Sequence, residues 1–152
     1  KFEKAGIQVV WQTGKYYAEE CQRIAKEKNA KLVKPQAFIS DMATAYRAAD
    51  IVISRAGASS ISELCLLSKA SILVPSPNVA EDHQTKNARA LSDKSAAIFV
   101  ADKDSRAVLV DEAIALVADK EKIASIEKEV YKLAYHNSAD VIAEEVLKLA
   151  KK

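Results

Sequence analysis

The run Ala49-Asp50-Ile51-Val52-Ile53-Ser54-Arg55-Ala56-Gly57-Ala58-Ser59-Ser60-Ile61-Ser62-Glu63 decides the fold class. Ile51-Val52-Ile53 is β-branched with no polar alternation, the pattern of a parallel strand covered on both faces. Gly57 supplies a turn, and Ile61, Leu64, Cys65 and Leu67 then make a nearly all-round apolar helix that should lie deep in the fold. Ser60-Ile61-Ser62-Glu63 matches a capping box, which places the helix start at Ser60. A buried strand passing directly into a buried helix is the repeating unit of a parallel α/β sheet.

The same alternation extends in both directions. Upstream, Ile7 to Gln12 reads as a strand closed by Thr13-Gly14, followed by a helix from Tyr16 to Lys28 with Tyr17, Cys21 and Ile24 on one face. A second strand is expected from Leu32 to Phe38, where Pro35 argues for an edge position or a break. Asp41 then caps a short helix through Ala49. Downstream, the strand Ile72-Leu73-Val74 stops at Pro75, Ser76-Pro77-Asn78 is a loop, and Asp82 caps a helix from His83 to about Ser92. After a strand from Ala96 to Val100 the pattern is wholly helical, over 105–118, 121–134 and 138–150, with Val108, Leu109, Ala113, Leu116 and Val117 in one apolar stripe. The expectation is one α/β domain over residues 1–152: a Rossmann-like parallel sheet of four or five strands with right-handed crossovers, flanked by helices and finished by C-terminal helices.

Composition agrees. The chain has 152 residues, 49% hydrophobic and 29% charged, with three Gly and three Pro. That is globular composition, long enough to bury roughly 70% of its unfolded surface, and it excludes collagen, coiled-coil arrays and low-complexity disorder. Lys and Arg number 23 against 21 Asp and Glu, a net +2 spread evenly along the chain, which gives no electrostatic case for a nucleic-acid partner. Apolar runs stop far short of the roughly 20 residues needed to span a bilayer. The opening Lys-Phe-Glu-Lys-Ala-Gly carries no export signal, and the absence of an initiator Met points to a fragment or a processed chain. Cys21 and Cys65 suit packing as small apolar groups in a reducing, cytoplasmic setting.

In parallel α/β sheets, ligands bind at the carboxyl ends of the strands. That rule selects Thr13-Gly14, Phe38 to Met42, Ser54 to Glu63 and Pro75 to Asn87. The turn from Ser54 to Ser60 can present backbone N–H groups and a positive helix terminus to an anion such as a diphosphate, and Gly57 allows close approach; an ordinary strand-to-helix turn has the same composition. Glu63 is either the reciprocal partner in a Ser60 capping box or a carboxylate accepting hydrogen bonds from a diol such as a ribose. Gln84 and Asn87 share a helical face and offer the mixed donors and acceptors that sugar hydroxyls need, or form a plain solvated first turn. His83 and His136 lack metal-ligand spacing, so no metal is expected. No carboxylate pair or nucleophile elbow stands out. The residues describe a binding surface more clearly than a catalytic one.

Three blocks carry a resemblance: Phe38-Ile39-Ser40-Asp41-Met42, the run from Ala49 to Glu63, and Val74-Pro75 through Glu81-Asp82-His83-Gln84-Thr85-Lys86-Asn87-Ala88. In order and spacing they resemble the C-terminal half of the MurG family of peptidoglycan N-acetylglucosaminyltransferases, over nearly the whole chain. The resemblance implies a GT-B glycosyltransferase of two Rossmann-like domains. Such an enzyme moves GlcNAc from UDP-GlcNAc to undecaprenyl-pyrophosphoryl-MurNAc-pentapeptide (lipid I), yielding lipid II with inversion and without metal or cofactor. It also implies that this chain is the donor-nucleotide domain, with the acceptor site, the catalytic base and the contact with the cytoplasmic face of the membrane in an N-terminal domain outside it. The fragment alone is then expected to be inactive.

Carried over by position, the resemblance sets the Ile39 backbone against the uracil edge, Met42 near the nucleotide, and Glu63 on the ribose hydroxyls. Thr13 and Gly14 fall by the diphosphate. The Ala58 amide and Ser60 contact donor sugar or phosphate, with Gly57 and Arg55 nearby, and His83, Gln84 and Asn87 read the GlcNAc hydroxyls. Two departures stand out. The family's Gly-Ser-x-Gly-Ala phosphate loop, with the first strand of this half, lies ahead of residue 1. Ser68-Lys69-Ala70 replaces a Gly-x-Pro, removing the usual glycine helix stop. Other readings are the donor domain of a different UDP-sugar GT-B transferase, or a non-catalytic α/β binding module.

Overall fold

The computed structural model describes residues 1–150. At its centre, β3 (Val52–Ser54) pairs in parallel with β4 (Ser71–Leu73), and β4 with β5 (Ile98–Phe99), in the order β3-β4-β5. Two further strands, β1 (Val9–Gln12) and β2 (Val33–Gln36), pair in parallel in a separate sheet. All five strands are parallel, as expected, but they form two sheets and not one. Pro35 sits opposite Trp11 inside the β1–β2 ladder. Among the described residues β2 pairs with β1 alone, an edge position where the missing proline N–H costs little.

Helices make the connections: α1 (Phe2–Ala5), α2 (Ala18–Glu27), α3 (Met42–Ala48), α4 (Ala58–Leu66), α5 (His83–Ser92), preceded by a 3-10 turn Ala80–Asp82, and then α6 (Asp102–Ala118), α7 (Lys120–Tyr131) and α8 (Ser138–Ala150). The three C-terminal helices fall where the periodicity puts them. The short α1 was not foreseen; one turn carries too few residues for a periodic signal.

Two apolar clusters sandwich the β3-β4-β5 sheet. Ala56, Leu64, Cys65, Leu73, Ala88, Leu91 and Val130 build one; Ala70, Ile72, Val74, Val100, Ala113, Leu116, Ile123 and Ile126 build the other. β4 is buried throughout and sends Ile72 and Leu73 to opposite clusters. Each such fully buried side chain contributes about 1.5–3 kcal/mol. β3 departs from its expected burial on both faces: Ile53 is 42% exposed, because among the described residues β3 pairs with β4 only. Val10 and Trp11 on β1 are similarly exposed, at 55% and 48%. The expected face of α2 is also open, with Tyr17 exposed and Cys21 half-buried.

The turn after α4 forms without a glycine. Ser68 takes φ 51°, its N–H donates to Cys65 O at 3.1 Å, and Lys69 N–H donates to Leu64 O at 2.9 Å. This is a Schellman stop built on serine. The Lys69 ammonium donates to Ala49 O at 2.6 Å and ties the turn to the start of β3.

Candidate functional site

The turn between β3 and α4 runs through Arg55 and the wholly buried Ala56 and reaches Gly57 as N-cap of α4. The helix therefore starts at Ala58, its N-cap three residues before Ser60, the N-cap that the capping box implies, and no side chain caps it. The capping box does not form. Gly57 has already turned the chain, and Glu63 falls in the second helical turn, beyond reach of the first amides. Gly57 itself has φ −68° and ψ 150°, open to any L-residue, and a Cβ there would meet only Ser60 Oγ at 3.9 Å. The fold leaves open space above this glycine, beside a helix terminus whose N–H dipoles favour an anion.

Glu63, released from capping, stands exposed on α4 and accepts a hydrogen bond from the Tyr46 hydroxyl of α3 at 3.1 Å. Burial, and then the Glu63 carboxylate, push the Tyr46 phenol above its ordinary pKa. Met42 opens the same helix α3. Its cap is Asp41, whose carboxylate accepts from Thr44 N–H at 3.0 Å and is held below the usual range by the Thr44 side chain and amide.

Gln84 and Asn87 converge on the same turn from α5. Gln84 Oε1 accepts from Ala56 N–H at 3.2 Å and from Ser76 N–H at 2.9 Å, while Asn87 Nδ2 donates to Ala56 O at 3.1 Å. Both carboxamides thus fix the loops after β3 and β4 and leave the Gln84 NH₂ as that side chain's remaining polar group. Ahead of them, Glu81 and Asp82 both take left-handed φ, 53° and 52°. Asp82 is the N-cap residue of α5 as expected, but its side chain makes no capping bond in that conformation. His83 opens the helix, exposed.

Arg55 is anchored as well. Its Nη1 donates to Val74 O and Pro75 O, both at 3.2 Å, and to Asp102 Oδ1 at 2.5 Å. At the β1-β2 sheet, Thr13 Oγ1 donates to Gln36 O at 3.0 Å, Gly14 takes φ 76°, and Ile39 N–H donates to Gln12 Oε1 at 2.9 Å. Arg55, Gly57, Ala58, Ser60, Gln84 and Asn87 therefore share one cluster at the ends of β3 and β4, with Tyr46 and Glu63 at its side. Thr13, Gly14 and Ile39 sit at the ends of β1 and β2.

Sequence reasoning missed Gln12, Tyr46 and Asp102. The strand-end rule reaches Asp102, which follows β5; the partners of Gln12 and Tyr46 are distant in sequence, and no local pattern marks them. Among the described residues, no three His, Cys, Asp or Glu side chains gather as a metal site, and no helix is long and apolar enough to cross a membrane.

Comparison with known proteins adds three findings. Residues 1–146 match the model of the glycosyltransferase family 28 C-terminal domain. The chain is 52% identical over its whole length to the UDP-N-acetylglucosamine–N-acetylmuramyl-(pentapeptide) pyrophosphoryl-undecaprenol N-acetylglucosamine transferase of Phocaeicola vulgatus, and 55% identical over 97% of its length to the transferase of the same name from Bacteroides thetaiotaomicron. It spans 41% and 40% of those relatives. Its structure is similar to the crystal structure of Acinetobacter baumannii MurG, with a TM-score of 0.82 at 27% identity, over 93% of this chain and 43% of that one. With a family model covering all but its last few residues, and these relatives matched along nearly its whole length, the chain belongs to glycosyltransferase family 28, in the C-terminal domain of that family.

Proposed function

We propose that this chain is the donor-binding domain of an inverting transferase that moves GlcNAc from UDP-GlcNAc to lipid I, the acceptor named in its relatives. The observation that carries the reading is the uncapped start of α4 with Glu63 beside it. One helix end offers backbone donors for a diphosphate and, one turn on, an acceptor for a diol. Uracil would take the Ile39 backbone, with Met42 alongside and the diphosphate near Thr13, Gly14 and the Gly57–Ser60 turn. The hexose would face His83, the Gln84 NH₂ and Asn87.

In this reading UDP leaves as the acceptor hydroxyl attacks from the opposite face. The N–H groups of Ala58 to Ser60 stabilise charge developing on the diphosphate as fixed dipoles that need no reorganisation, and no metal or cofactor takes part. The base, the lipid I contacts and the attachment to the cytoplasmic face of the membrane belong to the part of the protein outside this chain.

The test is a two-dimensional NMR titration with UDP-GlcNAc, UDP-GalNAc and ADP-glucose, following the amides of Ile39, Gly57 to Glu63 and Gln84. Shifts at these amides that favour UDP-GlcNAc are expected. Equal response to all three nucleotides, or none at millimolar ligand even with the Gly-rich segment restored, refutes the reading. The isolated chain should not turn over lipid I.

A further inference from the structure

We infer that Tyr46 is a positioning residue for nucleotide selection: its hydroxyl fixes the Glu63 carboxylate in the orientation that accepts a ribose diol. The inference rests on the donor-site reading of Glu63 and adds to it a residue and a basis for preferring ribose. An exposed glutamate on a helix has several rotamers of similar energy, and a ligand must select one at an entropic cost. Here the selection is made beforehand. The Tyr46 ring packs against the core cluster that holds Leu64 and Cys65, the residues directly after Glu63. The phenol is therefore held by the core, and its O–H reaches Glu63 Oε2 at 3.1 Å. A carboxylate has about four acceptor positions. With one taken by Tyr46, the plane of the group is set, and Oε1 together with the second lone pair of Oε2 remains for two adjacent hydroxyls.

The experiment measures the affinities of the chain for UDP and for 2′-deoxyuridine diphosphate by NMR or calorimetry, in the wild type, Tyr46→Phe, Glu63→Gln and the double variant. Phenylalanine retains the ring and its packing, so Tyr46→Phe removes only the hydroxyl. The wild type should prefer UDP by about tenfold or more. Tyr46→Phe should cut that preference about 3–10-fold while binding the deoxynucleotide within about twofold of wild type; a purely structural role would weaken both ligands alike. In the Glu63→Gln background, Tyr46→Phe should add little, since the carboxylate it orients is gone. A wild-type preference that survives Tyr46→Phe overturns the positioning role and leaves the donor site standing. A wild type without preference, or one that keeps it in Glu63→Gln, overturns the ribose reading of Glu63 and the Tyr46 role with it.

Discussion

The Ile39 N–H, at the end of the β1-β2 sheet, donates to the Gln12 side-chain oxygen at 2.9 Å. Gln12 ends β1 and Ile39 follows β2, so the bond joins two neighbouring strand ends across 27 positions of sequence. A primary-amide oxygen is close in geometry and acceptor strength to a pyrimidine carbonyl. Gln12 therefore occupies the donor that the proposed uracil subsite requires, and nucleotide must displace it.

Gln12→Ala removes this internal competitor. An intramolecular hydrogen bond of this kind has a net value of about 0.5–1.5 kcal/mol, so UDP should bind about 2–10-fold more tightly to the variant. Calorimetry on the two proteins checks it. Weaker binding would mean that Gln12 contacts the nucleotide directly.

Gln84 is where a loop-holding role and a sugar-reading role can be separated. Gln84→Glu keeps the oxygens that accept from Ala56 and Ser76 N–H, so the fold should lose less than about 1 kcal/mol in denaturant unfolding. It replaces the NH₂ donor with a charge that repels a diphosphate, and UDP-GlcNAc affinity should drop about tenfold or more. Gln84→Leu leaves both part-buried amides unpaired and should cost about 1–3 kcal/mol of stability. Equal stability of the Leu variant and wild type would show that the Gln84 bridge does not support the loops.

How far the sequence reveals this molecule depends on the range of the interactions. The strand at Val52–Ser54 and the helices α6 to α8 are legible because their cause is local, the apolar periodicity of the segment itself. The Ser60–Glu63 capping box misleads for the same reason. The four-residue pattern is present, but Gly57 starts the helix earlier and the pattern falls within it. The division into two sheets has no local signature, since it depends on which strand edges find partners. Gln12, Tyr46 and Asp102 act through contacts 27, 17 and 47 residues away. The shared helical face of Gln84 and Asn87 is legible from their spacing, while their grip on Ala56 is not.

Ser68 carries a left-handed φ of 51° in the stop that ends α4. An L-residue in that region costs about 1–2 kcal/mol, part of which glycine recovers after its own unfolded-state entropy is counted. Ser68→Gly should therefore stabilise the fold by about 0.5–1 kcal/mol, or raise Tm by roughly 1–4 °C. The turn lies at the far end of α4 from Gly57, so nucleotide affinity should not change. Thermal unfolding and a UDP titration read the two effects separately, and a stability loss would mean that the Ser68 hydroxyl contributes more than its backbone conformation costs.

Gly57 presents the opposite case, a glycine that the backbone does not need. Its φ of −68° suits any residue, and a Cβ would meet nothing nearer than Ser60 Oγ at 3.9 Å. Serine is a preferred N-cap residue, at least as good as glycine. Gly57→Ser should thus keep stability within about 0.5 kcal/mol of wild type or raise it slightly, because its hydroxyl can accept from the first-turn N–H groups that now lack a side-chain cap. The same hydroxyl then fills the space above the turn and competes with phosphate oxygens for those donors. UDP-GlcNAc affinity should drop about tenfold or more, whereas uridine, which has no phosphate, should bind within about twofold of wild type. Parallel titrations with the two ligands distinguish the cases. Equal losses for both would place the effect on the nucleoside pocket, and unchanged UDP-GlcNAc binding would remove the start of α4 from the diphosphate site.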